Sequence, residues 1–470
     1  MLVRQSELRP SLTIASTMVP RFRVARGYSL LRHHAFVGWG FPELFVISQT
    51  ALPALLYIPG LQPLRVLIRT FAFAVSLAAL LWYTRARPRP WYRHPAEKWL
   101  ILCLAYLAIM IFHPTTNSLL AGFAQLMLYL AVMAPVFWVP RLKQTSARIQ
   151  RLLFIILICS GLNSLVGVLQ VYDPGRWLPQ EFSRVVLESP YALDAETYIG
   201  PDGRRIVRPP GLFDSPGAVA GPATVAAALG LIFCLGPVPL WKKAIALLAA
   251  AAGVAAIFLS YVRTSLLIAG GSLLVYVGLL AIQRQKTKAV ILLGIGTLTA
   301  VGSFSLAMML GGEAIQERFS TLIEADPITV YYSARRGEQL EYGFNTLLVD
   351  YPFGAGLGRW GMMRHYFGDE NNADSPLIWA ELQPSAWVLD GGWILLFLYP
   401  LALVFATRND IRMARVTRSR SLRFSASAIV AVNAGVVALI LGFTPFTTQI
   451  GLQYWFLAGA LHAAAYQTGT

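Results

Sequence analysis

The sequence predicts an all-α polytopic membrane protein with about twelve transmembrane helices and one large, partly helical periplasmic loop. Three observations carry this expectation. Of the 470 residues, 56% are hydrophobic and 13% charged, and a soluble globule would carry about 25% charged residues. Apolar runs recur that are long enough to cross a hydrocarbon core of ~30 Å. Lys and Arg are unevenly shared between alternate connections. In lipid every backbone polar group needs an internal partner, so the runs are read as helices.

Residues 1–36 hold six arginines and no long apolar core, which reads as a basic cytoplasmic tail rather than a cleavable signal. Residues 37–171 hold five spans, at 37–58, 63–83, 99–113, 118–139 and 152–171, with Glu43 inside the first. A periplasmic loop, 172–216, follows. Residues 217–310 hold four more spans, at 217–235, 244–262, 265–282 and 289–310. The large periplasmic loop is 311–390, and residues 391–470 hold the last three, at 391–407, 425–445 and 449–467.

With both termini placed in the cytoplasm, the inner connections carry 26 of the 39 Lys and Arg and three acids. The outer ones carry 11 basic and 19 acidic residues. This is a positive-inside pattern. The net charge of +16 therefore reports orientation and not nucleic-acid binding. Cys103, Cys159 and Cys234 all fall in apolar spans without metal-ligand spacing, as small packing residues. No cofactor or metal is expected.

The chemistry-bearing residues sit on the outer connections. Arg204, Arg205 and Arg208 precede Asp214-Ser215-Pro216. Ser215 reads as an N-cap with proline at the first helical position, which would set a helix N-terminus, a natural anion site, at the outer face. The competing reading pairs these arginines with Asp202 or Asp214. Arg263 stands at a tight turn between two apolar spans, with Thr264 or Ser265 placed to cap the second. An arginine there needs a partner or a polar cavity; the alternative is a snorkelling side chain.

Arg335 and Arg336 open a stretch in which Leu340, Phe344, Leu347 and Leu348 recur at helical spacing, an amphipathic surface helix stopped by Pro352. Gly354, Gly356 and Gly358 follow a helix with no βαβ unit around them, which excludes a dinucleotide loop. They read instead as a turn that lets backbone approach a ligand or another helix. His365 is the one histidine in the large loops; the acidic candidates are Glu338, Glu341, Asp369, Glu370, Asp374, Glu381 and Asp390.

The order Arg-Pro-Pro-Gly-Leu-Phe-x-x-Pro (208–216), Val-Arg-Thr-Ser (262–265), Arg335-Arg336 and Tyr-Pro-Phe-Gly-Ala-Gly-Leu-Gly (351–358) resembles the O-antigen ligase and O-antigen polymerase superfamily over roughly residues 150–410. The resemblance implies a metal-independent glycosyltransferase of the bacterial cytoplasmic (inner) membrane. Such an enzyme takes a glycan from an undecaprenyl-diphosphate carrier at the periplasmic face and joins it to an acceptor glycan, lipid or protein. It would serve lipopolysaccharide or exopolysaccharide biosynthesis, alone or beside other polysaccharide assembly proteins.

By position, the family's loop arginines fall on Arg335 or Arg336 and its inter-helix arginine on Arg263, with Arg208 a further diphosphate ligand. Arginine suits a leaving diphosphate because its guanidinium is always charged and bidentate. Ligases carry a histidine shortly before the glycine that opens the next helix. Here the stretch before Gly391 and Gly392 holds Ala380 and Glu381, leaving Glu381 or His365 as the expected activator of the acceptor and favouring polymerisation over ligation. The alternatives from other classes are a transporter or flippase of lipid-linked glycans and a non-catalytic scaffold. Neither a half-to-half repeat nor charge at span centres favours transport.

Overall fold

The computed structural model describes residues 39–467 apart from 89, 91, 180–181, 183–195, 321–335, 370–377 and 379. Residues 1–39 and 40–470 are separate units, and the description concerns the second. The expected basic tail lies outside the described residues, as does Arg335.

The chain is mostly helical. In order come α1 (Phe41–Thr50), α2 (Arg65–Ala86), α3 (Glu97–Met110), α4 (Leu119–Met133), α5 (Ser146–Tyr172), α6 (Ala220–Cys234), α7 (Leu240–Leu259), α8 (Arg263–Ile282) and α9 (Lys286–Gly311). Then follow α10 (Glu313–Ser320), α11 (Glu338–Tyr342), α12 (Gly361–Phe367), α13 (Gln383–Val416), α14 (Arg420–Ala438) and α15 (Gln449–Gln467). One antiparallel hairpin, β1 (Thr197–Ile199) with β2 (Arg205–Val207), pairs Tyr198 with Ile206.

Seven of the described helices are long and apolar enough to cross a membrane, or eight if α4 and Pro135–Arg141, bent by 42°, form one span. The other expected spans coincide with shorter or less apolar helices: α1, α3, α6 and α15. The segment of α1 continues through the 3-10 turn Leu52–Tyr57. Its start is tied to α5 by Glu43, which pairs with Arg148 at 3.1 Å and Arg151 at 3.5 Å. Its end is tied to the short helix Pro174–Trp177 just beyond α5, where the Tyr57 hydroxyl donates to the Trp177 carbonyl. This segment therefore runs the length of α5, and the acid in the apolar run is answered by two arginines.

Two buried apolar clusters hold the helices. One joins α1, α2, α5, α6, α7, α8, α14 and α15 around Trp138, Phe233 and Phe456. The other joins α3, α4, α13 and α15 around Trp387, Tyr399, Phe446 and Trp455. Outward faces stay apolar, as Leu298, Val301 and Met309 of α9 do, which suits contact with lipid.

Three element boundaries differ from expectation. Helix α6 begins at Ala220, so Ser215 does not cap it. Gly217 takes φ +73° and donates its N–H to the Arg208 carbonyl, which holds 211–219 out of the helix. The cap is the fully buried Val219, and the surface anion site expected at Ser215 does not form. Helix α8 begins at Arg263 itself, so neither Thr264 nor Ser265 caps it; Tyr261, at φ +62°, reverses the chain just before. Helix α13 begins at Gln383, so the last residues of the expected loop are helical, with Trp387, Leu389 and Asp390 buried.

The glycine-rich stretch explains the boundary of α13. Gly391 and Gly392 leave helical geometry, with Gly392 at φ +56°. Into this break fits the turn at 352–358. Ala355 donates its N–H to the Leu389 carbonyl at 2.6 Å, and Trp393 donates to the Pro352 carbonyl at 2.9 Å. Gly354, Gly356 and Gly358 all have positive φ and face Gly391, Thr116 and Ala121. The glycines let main chain meet main chain, here between a turn and two helices. A Cβ on Gly392 would stand 2.0 Å from the Pro352 oxygen. Gly392→Ala is therefore expected to lower stability by about 3 kcal/mol, adding backbone strain to a forced separation. Gly361→Ala, at φ +67° with open space around it, should cost about 1 kcal/mol. Thermal unfolding of the two variants in detergent checks the difference.

Candidate functional site

The segments of Glu381 and Arg263, two of the expected site residues, adjoin through the turn at 443–449. Residues 336–350 are helical throughout: α11 continues into a π-helical turn, Gly343–Leu347, and then Leu348–Asp350. Such turns recur at functional positions. Leu347 and Leu348 bury against Ala386, Val388 and Leu389, while Phe344 stays 38% exposed, so the amphipathic stretch packs on the start of α13. That packing brings Arg336 to Glu381. The guanidinium pairs with the Glu381 carboxylate, which also accepts from Gln339 Nε2 at 3.0 Å. Arg336 and Glu381 keep 42% and 34% of their side chains exposed, so the pair is open to an incoming molecule.

Glu381 leads directly to the turn at 443–449. The Gln383 N–H donates to the Phe443 carbonyl at 3.1 Å, and Gln383 Oε1 accepts from the Phe446 N–H at 2.8 Å. The neighbouring Gly442 lies beside Thr264, which follows Arg263, 8% exposed. From the same turn Gln449 Nε2 donates to the Arg69 carbonyl at 3.3 Å. One backbone turn thus adjoins the segments of Glu381, Arg263 and Arg69.

The arginine-rich hairpin meets the Arg263 segment at Tyr261. Tyr198 of β1 stacks on Tyr261 with centroids 4.1 Å apart and planes at 18°. Arg318 of α10 lies 5.8 Å from the Tyr261 centroid. Burial raises the Tyr261 phenol to about 12, so it stays a neutral donor at neutral pH. Arg208 pairs with Glu196 at 2.9 Å, and Arg204 with Asp202 at 3.2 Å. Asp214 is fully buried between Arg65, at 2.9 Å, and Arg69, at 2.5 Å. So of the two acids first considered as partners for these arginines, Asp202 holds one and Asp214 is taken by α2.

His365 is exposed on α12, edge-on to Tyr366 at 5.0 Å between centroids. Of the described acids, Glu341 accepts from Asn345 Nδ2 at 3.4 Å, and Asp369 is bonded through its backbone to Asn117 and Arg364. Glu370 and Asp374 lie outside the described residues. Asp390 accepts from Gln125 Nε2 at 3.2 Å, Tyr129 hydroxyl at 2.7 Å and Trp360 Nε1 at 3.0 Å. It is 0% exposed, a structural anchor rather than a loop acid.

No protein-family model and no curated protein matches this chain.

Several residues here escaped the sequence reading. Arg359, 1% exposed, donates to the Thr115 carbonyl at 2.9 Å and faces the Tyr351 ring at 5.9 Å. Arg364 pairs with Asn117 and with the Asp369 carbonyl. His113, beside Arg359, is held below the ordinary histidine value by burial and then by that guanidinium. The legible signal was a pair of arginines bracketing an aromatic and a glycine after the glycine turn. Among the described residues no group of three or more His, Cys, Asp or Glu side chains is arranged to hold a metal ion.

Proposed function

We propose that this chain is a twelve-span membrane glycosyltransferase of the O-antigen polymerase or ligase type. It acts at the outer face of the bacterial inner membrane on glycan carried by undecaprenyl diphosphate. The observation that carries the reading is the half-exposed Arg336–Glu381 pair, on a rim that the 443–449 turn shares with the segments of Arg263 and Arg69.

The pair supplies both halves of the chemistry. An arriving diphosphate competes with Glu381 for the Arg336 guanidinium and takes it up in a charge-assisted contact. The freed carboxylate then accepts the proton of the acceptor hydroxyl. The acceptor oxygen bonds to the anomeric carbon, the bond from that carbon to the phosphate oxygen breaks, and the lipid diphosphate leaves with the electron pair. Arg263, Arg335 and Arg208 are the further cations of the reading, and fixed cations stabilise the charge that develops on the leaving group. The positive-inside charge distribution supports placing this rim in the periplasm.

The test is transfer by the purified protein in detergent, with lipid-diphosphate-linked glycan, chelator present and no ion gradient. Lengthened or transferred glycan and released lipid diphosphate are the expected products. Glycan that crosses a liposome membrane without any new glycosidic bond would replace this reading with transport.

A further inference from the structure

We propose that a groove on α13 binds an anionic phospholipid of the surrounding membrane, with its phosphate on Arg408, Arg412 and Arg415. The groove has a volume of about 800 Å³ and is walled by one face of α13 and by Val437 and Ile440 at the end of α14. Its α13 wall is a single stripe at helical spacing that changes character part-way along. Pro400, Leu403 and Val404 form the wholly apolar part, and Arg408, Arg412 and Arg415 follow on the same face, interleaved with Ile411 and Val416. Pro400 lies at the apolar head, where its ring excludes the hydrogen bond to the preceding turn and loosens the wall.

The dimensions match one leaflet. From Pro400 to Arg415 the helix rises about 22 Å, against roughly 15 Å for half the hydrocarbon core plus a headgroup layer. The charge pattern matches as well. All three arginines are exposed, and none forms an ion pair with a described residue. Asp410, the acid nearest them on α13, is 1% exposed and accepts instead from Asn433 Nδ2 at 3.4 Å. An apolar trough ending in a ladder of guanidinium groups fits an amphiphile with a negative head. A zwitterionic lipid would bring its own cation against the same arginines. This site is distinct from the transferase rim and does not depend on it.

Native mass spectrometry of the intact protein in neutral detergent, titrated with phosphatidylglycerol or phosphatidylcholine, tests the assignment. The wild type is expected to take up phosphatidylglycerol preferentially. Replacing Arg408, Arg412 and Arg415 by Gln together should weaken it ~100-fold, from about fivefold per arginine near a membrane surface. A control with Lys286→Gln, Arg418→Gln and Arg420→Gln removes the same charge elsewhere and should change binding less than about threefold.

Val404→Trp keeps every charge but fills the apolar trough from an exposed position; it should weaken binding at least ~10-fold. It carries the test if the triple arginine variant does not fold. Equal uptake of both lipids, equal loss in the control, or unchanged binding in Val404→Trp would overturn the proposal. So would a protein dimer that the arginine changes dissociate with no change in bound lipid.

Discussion

Glu381→Gln is expected to lower glycan transfer by ~10²–10⁴-fold while leaving thermal unfolding nearly unchanged. Among the described residues this carboxylate is the acid paired with Arg336, and a neutral amide keeps an oxygen for Gln339 Nε2 at the same place. The fold therefore survives the change, and only the capacity to accept a proton is removed. His365→Ala is the matched comparison. That ring stands exposed on α12 beside Tyr366, and its loss should lower transfer less than about tenfold. Initial rates for both variants at saturating acceptor decide between them. Full activity in Glu381→Gln would leave that residue as a clamp on Arg336 and nothing more.

Asp390→Ala is expected to destabilise the protein by about 3–5 kcal/mol, the range for removing one partner of a buried charged network. Three donors converge on this carboxylate from two elements: Gln125 and Tyr129 from α4, and Trp360 from the segment after the glycine turn. Truncation leaves all three buried without an acceptor, and each such donor costs about 1–3 kcal/mol when isolated. Asp390→Asn keeps one carbonyl oxygen and should lose about half as much. Thermal unfolding in detergent reads both, and an unchanged midpoint for the alanine variant would show that the donors find other partners.

The reach of the sequence differs from element to element for physical reasons. Hydropathy marks the helices because burying backbone in lipid demands apolar length, so the runs at 152–171 and 289–310 are plain and fall within the helices Ser146–Tyr172 and Lys286–Gly311. Gln125 and Tyr129, four residues apart on one helix face inside an apolar run, were a readable sign of a buried polar partner. Asp390 was read as a loop residue because Gly391 and Gly392 look like the end of a loop. In fact they break one helix.

Ser215-Pro216 has the composition of a helix start, and a single left-handed glycine two residues later cancels it. The pairing of Asp214 with Arg65 and Arg69 joins segments far apart in the chain, and no local spacing encodes it. The 443–449 turn works through backbone groups and two glutamines, so composition hardly marks it. Of the expected site, the Arg336–Glu381 pairing combines one residue suggested by resemblance with one suggested by its failure.

The clasp between Pro352–Ala355 and Leu389–Trp393 closes the intervening stretch into a ring fastened at its base by main-chain atoms. Main chain makes these bonds, and within the ring Trp360 adds a side-chain bond to Asp390. Doubling the length of such a closed loop costs only ~0.6 kcal/mol more. Residues can therefore be added between the two fastened ends at little cost in folding free energy.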